Sequence, residues 1–381
     1  MGLRCSTGWL VTTTLVLTLA MAAVSLQPAA PAGAAGIAEI SCEPIATGPT
    51  IDVPPLAGFS ATPPQRLVDT RFGIGGVDTA IDAGCTLRMR ADTSVVPTEA
   101  RALALSITGL GAQPGYLSVF PCESGLPATS NLNTRQDGFP TPNLVVALPD
   151  DARDVCIYSH FRTDLLIDLT GWWTETGDQR FTSIPPVRVD DSRTDPGRPV
   201  VPAGSIRTID LSSVVPSGTT AVVANLTVTE PVGDGYITAF PCGTVPDTSN
   251  LNFRAAESRA VAIITGVDAA ARFCVRSVVD AHVVVDLTGY YAPAPQFGPA
   301  AELRPLTGRR LADSRSGEGG WTEKFAAGTI RRLRPADGLG FESQATAAIV
   351  NVVATEADEP GYVTIYPCDG ELPHTSVVNY T

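Results

Sequence analysis

The chain has few of the residues on which metal and catalytic sites depend. Its three histidines, His160, His282 and His374, stand at unrelated positions in the sequence. Zinc sites need histidine or cysteine ligands grouped at short spacings, and no H-E-x-x-H pair is present. The G-x-S-x-G turn that presents a nucleophilic serine is also absent from the sequence. We therefore predict no metal centre, no bound cofactor and no catalytic residue.

Positive charge is scarce as well. Lys324 is the lone lysine, and the formal net charge is −13 at pH 7. Proteins that bind nucleic acids or anionic lipid surfaces use basic patches to do so. We therefore expect no nucleic-acid partner.

One long apolar run is present, and it lies at the N-terminus. Arg4 precedes the apolar stretch 9–26, and Ala32-Gly33-Ala34 offers small residues for cleavage. This order is typical of a secretory signal peptide, which we predict over residues 1–34. The alternative is an uncleaved anchor, because the run approaches the length that spans a bilayer. We expect a secreted, extracytoplasmic protein that has no membrane contact after cleavage.

The most informative feature of the sequence is an internal repeat. An Asp-(Thr/Ser)-Arg triplet recurs at steps of 122 residues, beginning at Asp69, Asp191 and Asp313. A second marker, G-Y-[LIV]-[ST]-x-[FY]-P-C, begins at Gly115, Gly235 and Gly361. So long a period is typical of tandem units large enough to have their own cores. The predicted copies span 61–175, 183–293 and 303–381, and an N-terminal segment, 35–60, precedes them.

The composition predicts an all-β fold. Charged residues make up 17% of the chain, which contains 35 Gly and 32 Pro. This balance suits short strands joined by tight turns. In the second copy, apolar or alternating runs such as 220–230 and 282–291 lie between turn signals. We predict three tandem antiparallel β-sandwich-like repeats of about 120 residues.

The cysteines predict disulfide bonds, because secretion places them in an oxidising compartment. Cys122 and Cys156 of the first copy recur as Cys242 and Cys274 of the second. We predict the bonds Cys122–Cys156 and Cys242–Cys274.

The third copy has Cys368 but stops at Thr381, before its second half. The stretch from Cys42 to Asp52 resembles that missing half, and we predict that it completes the third copy. A Cys42–Cys368 bond would then close the three copies into a ring. Two alternatives stay open. The bonds are permuted as 42–122, 156–242 and 274–368, or the chain is a fragment in which Cys368 is free and Cys42 pairs with Cys85.

Repeated charged residues predict a structural ion pair in each copy. Asp168 and Asp286 end apolar runs, and Asp52 is the third candidate. A buried carboxylate needs a partner, and an arginine side chain can hold one with two hydrogen bonds. The predicted pairs join Arg71, Arg193 and Arg315 with Asp168, Asp286 and Asp52.

Repeated amide and aromatic residues form the predicted ligand site, since together they suit sugar hydroxyls and pyranose faces. The candidates are Tyr116, Asn131, Asn133, Tyr236, Asn250, Asn252, Tyr362 and Asn379. Trp172-Trp173 and Tyr290-Tyr291 occupy equal positions in two copies. We predict that one ring of each pair packs in the core and the other is exposed.

The joint set of markers, R-L-x-D-[TS]-R, G-Y-[LIV]-[ST]-x-[FY]-P-C, T-S-N-L-N and [IV]-D-L-T-G-[YW]-[YW], resembles a tandem repeat common in secreted actinobacterial proteins. There the repeat occurs alone or beside cell-wall hydrolase domains. The resemblance implies an accessory module at the cell surface, and it carries no catalytic residues to this chain. Copy three departs from the pattern, because Val377-Val378 replaces Asn131-Leu132.

Together these features predict a non-enzymatic secreted protein that binds or displays a glycan at the cell envelope. The expected partner is a cell-wall or extracellular polysaccharide. A carboxylate-dependent glycan hydrolase is one alternative, and a structural spacer without a ligand is the other.

Overall fold

The computed structural model describes residues 36–45, 48, 54–135, 137–197, 199–294, 301–334 and 345–380. The predicted signal peptide and Asp52 lie outside these residues. The stretch Ala34–Thr381 belongs to one compact unit. In the part of the chain that the structure describes, no helix has the length and apolar character to cross a membrane.

Within the described residues, the N-terminal segment and copy one together form nine strands and one short 3-10 turn at Cys122–Ser124. The strands are β1 (Ala38–Ser41), β2 (Gly58–Asp69), β3 (Thr86–Arg90), β4 (Ala100–Gly111), β5 (Gly115–Pro121), β6 (Leu132–Thr134), β7 (Thr141–Ala147), β8 (Asp154–Ser159) and β9 (Thr163–Thr174). They form an inner sheet in the order β2-β9-β4-β7 and an outer sheet in the order β1-β3-β8-β5-β6. The described pairings within both sheets are antiparallel.

Copy two repeats this arrangement, and its described residues include no counterpart of β1. Its strands are β10 (Gln179–Asp191), β11 (Ile206–Asp210), β12 (Ala221–Thr229), β13 (Gly235–Pro241), β14 (Leu251–Phe253), β15 (Arg259–Gly266), β16 (Arg272–Ser277) and β17 (His282–Pro293). The inner sheet has the order β10-β17-β12-β15 and the outer sheet the order β11-β16-β13-β14. In copy three the described strands are β18 (Gly361–Val363) and β19 (Val378–Tyr380), which pair with each other.

The predicted all-β fold of antiparallel, sandwich-like repeats is confirmed. In copies one and two, apolar side chains from the two sheets meet in a core of their own. The central strand β4 shows how the sequence encodes this arrangement. Leu103, Leu105 and Ile107 belong to the core of copy one, while Ala102 and Ala104 point to the opposite face. Successive side chains of a strand alternate between faces, and because both faces are covered the strand is apolar almost throughout.

That opposite face forms a third core, which the copies share and which we call the inter-copy core. Phe59 and Trp173 of copy one pack there against Tyr291 of copy two. The ring centroids of Phe59 and Tyr291 are 4.3 Å apart, and those of Phe59 and Trp173 are 4.7 Å apart. Leu303 of copy three is packed against the same cluster. The copies are therefore joined by apolar burial as well as by the chain.

Two of the three predicted disulfides are confirmed, namely Cys122–Cys156 and Cys242–Cys274. Disulfides persist in oxidising compartments, so the bonds indicate an extracytoplasmic protein.

The predicted Cys42–Cys368 bond is wrong. Cys42 is bonded to Cys85, and Cys368 is an exposed free thiol. The reason lies in β1, which adds to the outer sheet of copy one beside β3 and so brings Cys42 to Cys85. Ring closure through this bond is therefore contradicted, as are the permuted pairs. Further along the N-terminal segment, Leu56 exchanges two backbone hydrogen bonds with Leu303 of copy three.

We expect Cys368 to react with iodoacetamide in the native, unreduced protein, because its thiol is exposed and unbonded. Mass mapping of a non-reducing digest should find this peptide alkylated and should find Cys42 and Cys85 in one linked peptide. A linked peptide that contains Cys368 and Cys42 would contradict the structure.

Candidate functional site

The tyrosines and asparagines predicted to bind a ligand meet in pairs. In the outer-sheet hairpins, Tyr116 lies opposite Asn133 and Tyr236 lies opposite Asn252. Directly opposed residues of antiparallel strands share a face, with Cβ atoms about 4.5–5.5 Å apart. The short hairpin of copy three places Tyr362 opposite Asn379 in the same way. A phenol ring and an amide therefore stand side by side in every copy.

The other two predicted asparagines serve the fold. Asn131 Oδ1 accepts a hydrogen bond of 2.7 Å from the backbone N–H of Val119, and Asn250 Oδ1 accepts one of 2.7 Å from Ala239. These contacts fasten β5 and β13 to the segments that precede β6 and β14. The amide oxygens of both residues are thus bonded to backbone groups, and their role in ligand binding stays a prediction.

Arginine and aspartate side chains form a connected chain in copy one. Arg66 donates to both carboxylate oxygens of Asp168, with Nε–Oδ1 2.8 Å and Nη2–Oδ2 3.1 Å. Its Nη1 also lies 3.2 Å from Asp69 Oδ2. Arg71 donates to Asp69 from Nε at 2.9 Å and from Nη2 at 2.7 Å. This arginine–aspartate chain of side-chain hydrogen bonds therefore runs from Asp168 to Arg66, then to Asp69 and to Arg71.

The predicted pairing of Arg71 with Asp168 is wrong, although Asp168 does hold an arginine. Arg66 lies directly opposite Asp168 in the register of β2 and β9. Arg71 follows the end of β2 and folds back onto the carboxylate of Asp69 in its own triplet. The first arginine of the R-L-x-D-[TS]-R marker was the signal for this partner, because it recurs as often as the second.

Copy two contains the same arginine–aspartate chain of hydrogen bonds. The predicted Arg193–Asp286 pair is therefore wrong, because another arginine holds Asp286. Arg188 Nε lies 2.9 Å from Asp286 Oδ1, and Arg193 Nη2 lies 2.7 Å from Asp191 Oδ2. Copy three keeps only part of the chain. There Arg310 and Arg315 both bind Asp313, at 3.1 and 2.8 Å. The third predicted pair, Arg315 with Asp52, involves a residue outside the described part of the chain.

Hydrogen bonds and burial have opposite effects on the pKa values of these arginine and aspartate side chains. Burial by itself would lower the pKa of Arg66, but its hydrogen bonds to Asp168 and the charges of Asp168 and Asp69 together outweigh this effect and hold the pKa above its ordinary value. The hydrogen bond from Arg193 lowers the pKa of Asp191. Burial raises the pKa of Asp168, and the hydrogen bonds and charge of Arg66 act in the opposite direction.

We expect acidification to destabilise the protein in part through Asp191. Its pKa is lower in the folded protein than in the unfolded chain, so the folded state binds this proton less tightly. The resulting stabilisation is present above the unfolded pKa of about 4 and is lost as pH falls through the lower folded value. Denaturant unfolding of wild type and Asp191→Asn at pH 7, 5 and 3 measures this contribution. The variant should lose less stability between pH 5 and 3, and equal losses in the two proteins would contradict the assignment.

A small cleft brings the two sets of residues together across the boundary between copies. Copy one contributes its inner sheet and copy two contributes its outer-sheet hairpin. The lining residues are Arg66, Arg71, Thr108, Leu110, Pro140, Leu166, Tyr236, Asp247, Thr248, Ser249 and Asn252. We call this space the first cleft, and its volume is about 200 Å³. Sites that enclose a drug-sized ligand have about 300–1,000 Å³, so the first cleft suits one protruding group of a larger ligand.

The first cleft offers varied polar chemistry beside an aromatic ring. Arg71 keeps 34% of its side chain exposed, and its hydrogen bonds to Asp69, made from Nε and Nη2, leave Nη1 without a bond to any described residue. Asp247 is exposed and can accept hydrogen bonds. The Ser249 hydroxyl donates to Asn252 Oδ1 at 3.1 Å, which orients the amide so that its nitrogen remains a donor. Donors, acceptors and the Tyr236 ring thus converge on a space that one sugar residue could enter.

Equivalent hydrogen bonds join the copies at each of these boundaries. Within the described residues, a side chain of β4, or of the corresponding segment in copies two and three, donates to a backbone carbonyl of another copy. The acceptor is the carbonyl of the serine in the Thr-Ser pair that begins the T-S-N-L-N marker or its equivalent. The three bonds are Ser106 to Ser249 at 3.5 Å, Asn225 to Ser376 at 2.5 Å and Asn351 to Ser130 at 2.8 Å. The last of them joins copy three to copy one. The Tyr–Asn pair of one copy therefore stands next to the arginines of another in a repeated arrangement.

Charge also fastens copy one to copy two near the first cleft. Arg135 of copy one binds Glu257 at 2.6 Å, and Arg254 of copy two binds Asp137 at 2.9 Å. Arg254 also lies over the ring of Phe139, 4.2 Å from its centroid. These contacts fix the hairpin that carries Tyr236 against copy one.

The tandem aromatic residues do not contribute to the site. Trp173 and Tyr291 are buried in the inter-copy core, as predicted for one ring of each pair. Burial raises the pKa of Tyr291 well above its ordinary value. The prediction that the second ring is exposed is wrong, because Trp172 and Tyr290 are half-buried against the cores of their own copies.

A larger groove lies elsewhere on copy two, along the edge strand β11. Its volume is about 670 Å³, and Pro199–Pro202 and Ile206 are among its lining residues. In copy one the equivalent edge is covered by β1. The groove contains no Tyr–Asn pair, so we place the candidate site in the first cleft despite its smaller volume.

The carboxylates near the first cleft bear on the hydrolase alternative. Glycoside hydrolysis uses two carboxyl groups on either side of the scissile bond, about 5–9.5 Å apart. Asp69 and Asp168 are buried and held by arginine. Among the residues that line the cleft, Asp247 is the one carboxylate. Within the described residues, no group of three or more histidine, cysteine or acidic side chains is placed to hold a metal ion.

Comparison with known proteins does not identify a family for this chain. No family model matches the chain, and no curated protein matches it. One solved structure, the N-terminal CBM22-1–CBM22-2 tandem domain of Xyn10C from Paenibacillus barcinonensis, is 9% identical in sequence. That match covers 66% of this chain and 100% of the other, and its TM-score is 0.17. At this TM-score the likeness carries no argument about fold or function.

Proposed function

We propose that this is a secreted, non-enzymatic protein of the cell envelope that binds a polysaccharide in the clefts between its copies. The observation that carries the proposal is the first cleft, in which Tyr236 and Asn252 of copy two face Arg71 of copy one. An aromatic ring packs on the apolar face of a pyranose, and the guanidinium and amide groups bind its hydroxyls.

Repetition supports a multivalent mode of binding. A Tyr–Asn pair occurs in each of the three hairpins, and each hairpin stands at a boundary between copies. Several weak sites on one chain gain avidity when they bind one long polymer, by a factor of about 10² to 10⁴. Small clefts with modest affinity therefore suffice for tight binding to an insoluble polysaccharide.

The cleft favours binding over hydrolysis. Its arginine-held aspartates cannot leave their partners without exposing buried charge, and Asp247 has no second carboxylate to work with in the cleft. Its counterparts in the other copies are Ala128 and His374, so the group is not repeated with the Tyr–Asn pairs.

Co-sedimentation with purified actinobacterial cell walls and insoluble polysaccharides tests the proposal. We expect saturable pelleting without sugar release into the supernatant. Tyr236→Ala should weaken pelleting about tenfold, the effect of losing roughly 1.4 kcal/mol of contact energy. The triple variant at Tyr116, Tyr236 and Tyr362 should not pellet.

Val232→Ala is the matched control, because Val232 is 72% exposed and does not line the cleft. It should pellet like wild type. Absence of pelleting on every polysaccharide would favour the spacer alternative, and released sugar would show that the protein is an enzyme.

A further inference from the structure

The strand β11 lies at an edge of the outer sheet of copy two, and the equivalent edge of copy one carries a further strand. In copy one, the four residues of β1 pair with β3, beginning with Ala38 opposite Met89. The counterpart of β3 in copy two is β11, which pairs with β16 on one side. Within the described residues, no strand pairs with its other side. The same edge is therefore covered by a strand in copy one and not in copy two.

The backbone of β11 directs hydrogen-bonding groups toward this side. The N–H of Leu211, directly after β11, donates a hydrogen bond of 3.0 Å on the β16 side. Backbone groups of successive residues in an antiparallel strand point alternately to its two sides, so those of Ile206 and Asp210 point away from β16. In copy one, the counterpart of Asp210 is Arg90, whose N–H donates to the carbonyl of Ile37 at 2.7 Å. The edge of β11 therefore offers the kind of backbone groups that bind the N-terminal segment in copy one.

The groove along β11 corresponds in position to the space that β1 fills in copy one. Its lining includes Ser205–Thr208, the counterparts of Cys85–Arg88, which pair with β1 or are bonded to the cysteine that follows it. In copy one, Ala38 and Ile40 of β1 pack against the core. The groove has a volume of about 670 Å³, and Ile206 in its lining is 48% exposed. A strand in this groove would therefore bury apolar surface as well as backbone groups.

The strand β11 has few of the features that protect a sheet edge from pairing. Proline, lysine and β-bulges are common protective features of edge strands. The stretch Ile206–Asp210 contains neither proline nor lysine, and it pairs with β16 without a shift in register. The guanidinium of Arg207 binds both carboxylate oxygens of the buried Asp190, at 2.7 and 2.8 Å. This charge is therefore directed into the sandwich and does not guard the edge.

We propose that β11 binds an extended segment of another polypeptide, which adds to the outer sheet of copy two as β1 adds to that of copy one. In this mode of recognition backbone hydrogen bonds give affinity, and pockets for alternate side chains give specificity. The segment has apolar side chains at the positions of Ala38 and Ile40. It belongs to another chain, because the Cys42–Cys85 bond holds β1 on copy one. Ser205 stands in place of Cys85 in copy two, so the added strand binds without a disulfide.

A second copy of this protein is a poorer occupant of the edge. Two β11 strands paired antiparallel over their full length would place Ile206 of one strand opposite Asp210 of the other. Directly opposed residues share a face of the sheet, so an exposed apolar side chain would meet a carboxylate twice in such a dimer. A foreign strand is free of this restriction.

A fluorescent peptide with the sequence of residues 36–43 and the change Cys42→Ser is the probe. Its binding to the disulfide-bonded protein is measured by anisotropy, and we expect saturable binding. Ile206→Pro should weaken binding at least about tenfold, which corresponds to about 1.4 kcal/mol, because proline lacks the N–H that faces the added strand. Proline is tolerated on edge strands, and Ile206→Val, which keeps the N–H, is the matched control and should bind like wild type.

A second peptide, in which Glu39→Pro removes an N–H on the side that faces the protein, leaves the protein itself unchanged. It should also bind at least about tenfold more weakly than the first peptide. This comparison tests the proposal even if Ile206→Pro does not fold. Absence of binding by the first peptide, or equal affinity for the two peptides, would contradict the proposal.

The register of the added strand is tested by disulfide formation. A peptide that retains Cys42 should place its thiol beside residue 205, as β1 places Cys42 beside Cys85. In Cys368→Ser protein and a glutathione buffer, Ser205→Cys should link to this peptide at least about tenfold faster than Ser212→Cys, which lies past the other end of β11. Equal rates at the two positions would overturn the proposed pairing.

Sedimentation velocity of the protein alone tests the competing occupant. We expect wild type and Ile206→Pro to have the same oligomeric state, because the edge is reserved for a foreign strand. A wild-type dimer that Ile206→Pro dissociates would show that a second copy occupies the edge, and would overturn the proposal.

Discussion

Replacing Asp168 by alanine is expected to lower the free energy of unfolding by about 3 kcal/mol, the lower end of the range for breaking a buried ion pair. The carboxylate is 1% exposed and accepts two hydrogen bonds from Arg66. Its removal leaves the guanidinium with Asp69 alone in a site that water reaches poorly. Because 17% of the Arg66 side chain is accessible, solvent relieves part of the loss.

The repeats supply matched controls for this prediction. Asp286→Ala should have a smaller effect, since the partner Arg188 is 32% exposed. Arg310→Ala should change stability by less than about 1 kcal/mol, because its pair with Asp313 lies in a more exposed setting. Chemical denaturation of the three variants measures the series. If Asp168→Ala and Arg310→Ala destabilise the protein equally, the buried pair does not have the role assigned here.

Trp173→Ala is expected to destabilise the protein by about 3–5 kcal/mol, the usual range for removing a buried aromatic side chain. Trp173 is 1% exposed and lies in the inter-copy core beside Phe59. The cavity would open between copies, so the contact between copies one and two should weaken while the core of each copy stays intact. We expect limited proteolysis to cleave the variant first near 174–179, where β9 ends and β10 begins.

The neighbouring ring provides the control. Trp172 is chemically identical but half-buried against the core of copy one, and Trp172→Ala should be clearly less destabilising. Differential scanning calorimetry of the two variants compares them directly. A larger loss for Trp172→Ala would show that the inter-copy core contributes less than the core of the single copy.

Local and periodic features were readable from the sequence. The repeat period, the all-β class and the Cys122–Cys156 and Cys242–Cys274 bonds follow from markers at fixed spacing in each copy. The Tyr–Asn pairs were also accessible, because the residues of each pair lie on two short strands that are close in sequence and form a hairpin.

The partners of the charged groups could not be read in the same way. Arg66 and Asp168 are 102 residues apart, and the register of β2 against β9 decides which arginine faces the carboxylate. A bulge between Arg66 and Val68 shifts the register of that pairing. Counting back along the strands from Asp69 without the bulge would place Leu67, and not Arg66, opposite Asp168. The similarity of the Cys42 segment to a repeat's second half likewise indicated a strand, but not the sheet that the strand would join.

The sequence by itself determined that this protein is built from repeated β-units, because the alternation of apolar residues and the spacing of turns are local properties. Only the tertiary structure decided which units share a core and which side chains meet in the first cleft. Those contacts depend on how sheets from different copies pack, and packing is set by the combined shape and burial of residues that lie far apart in the chain.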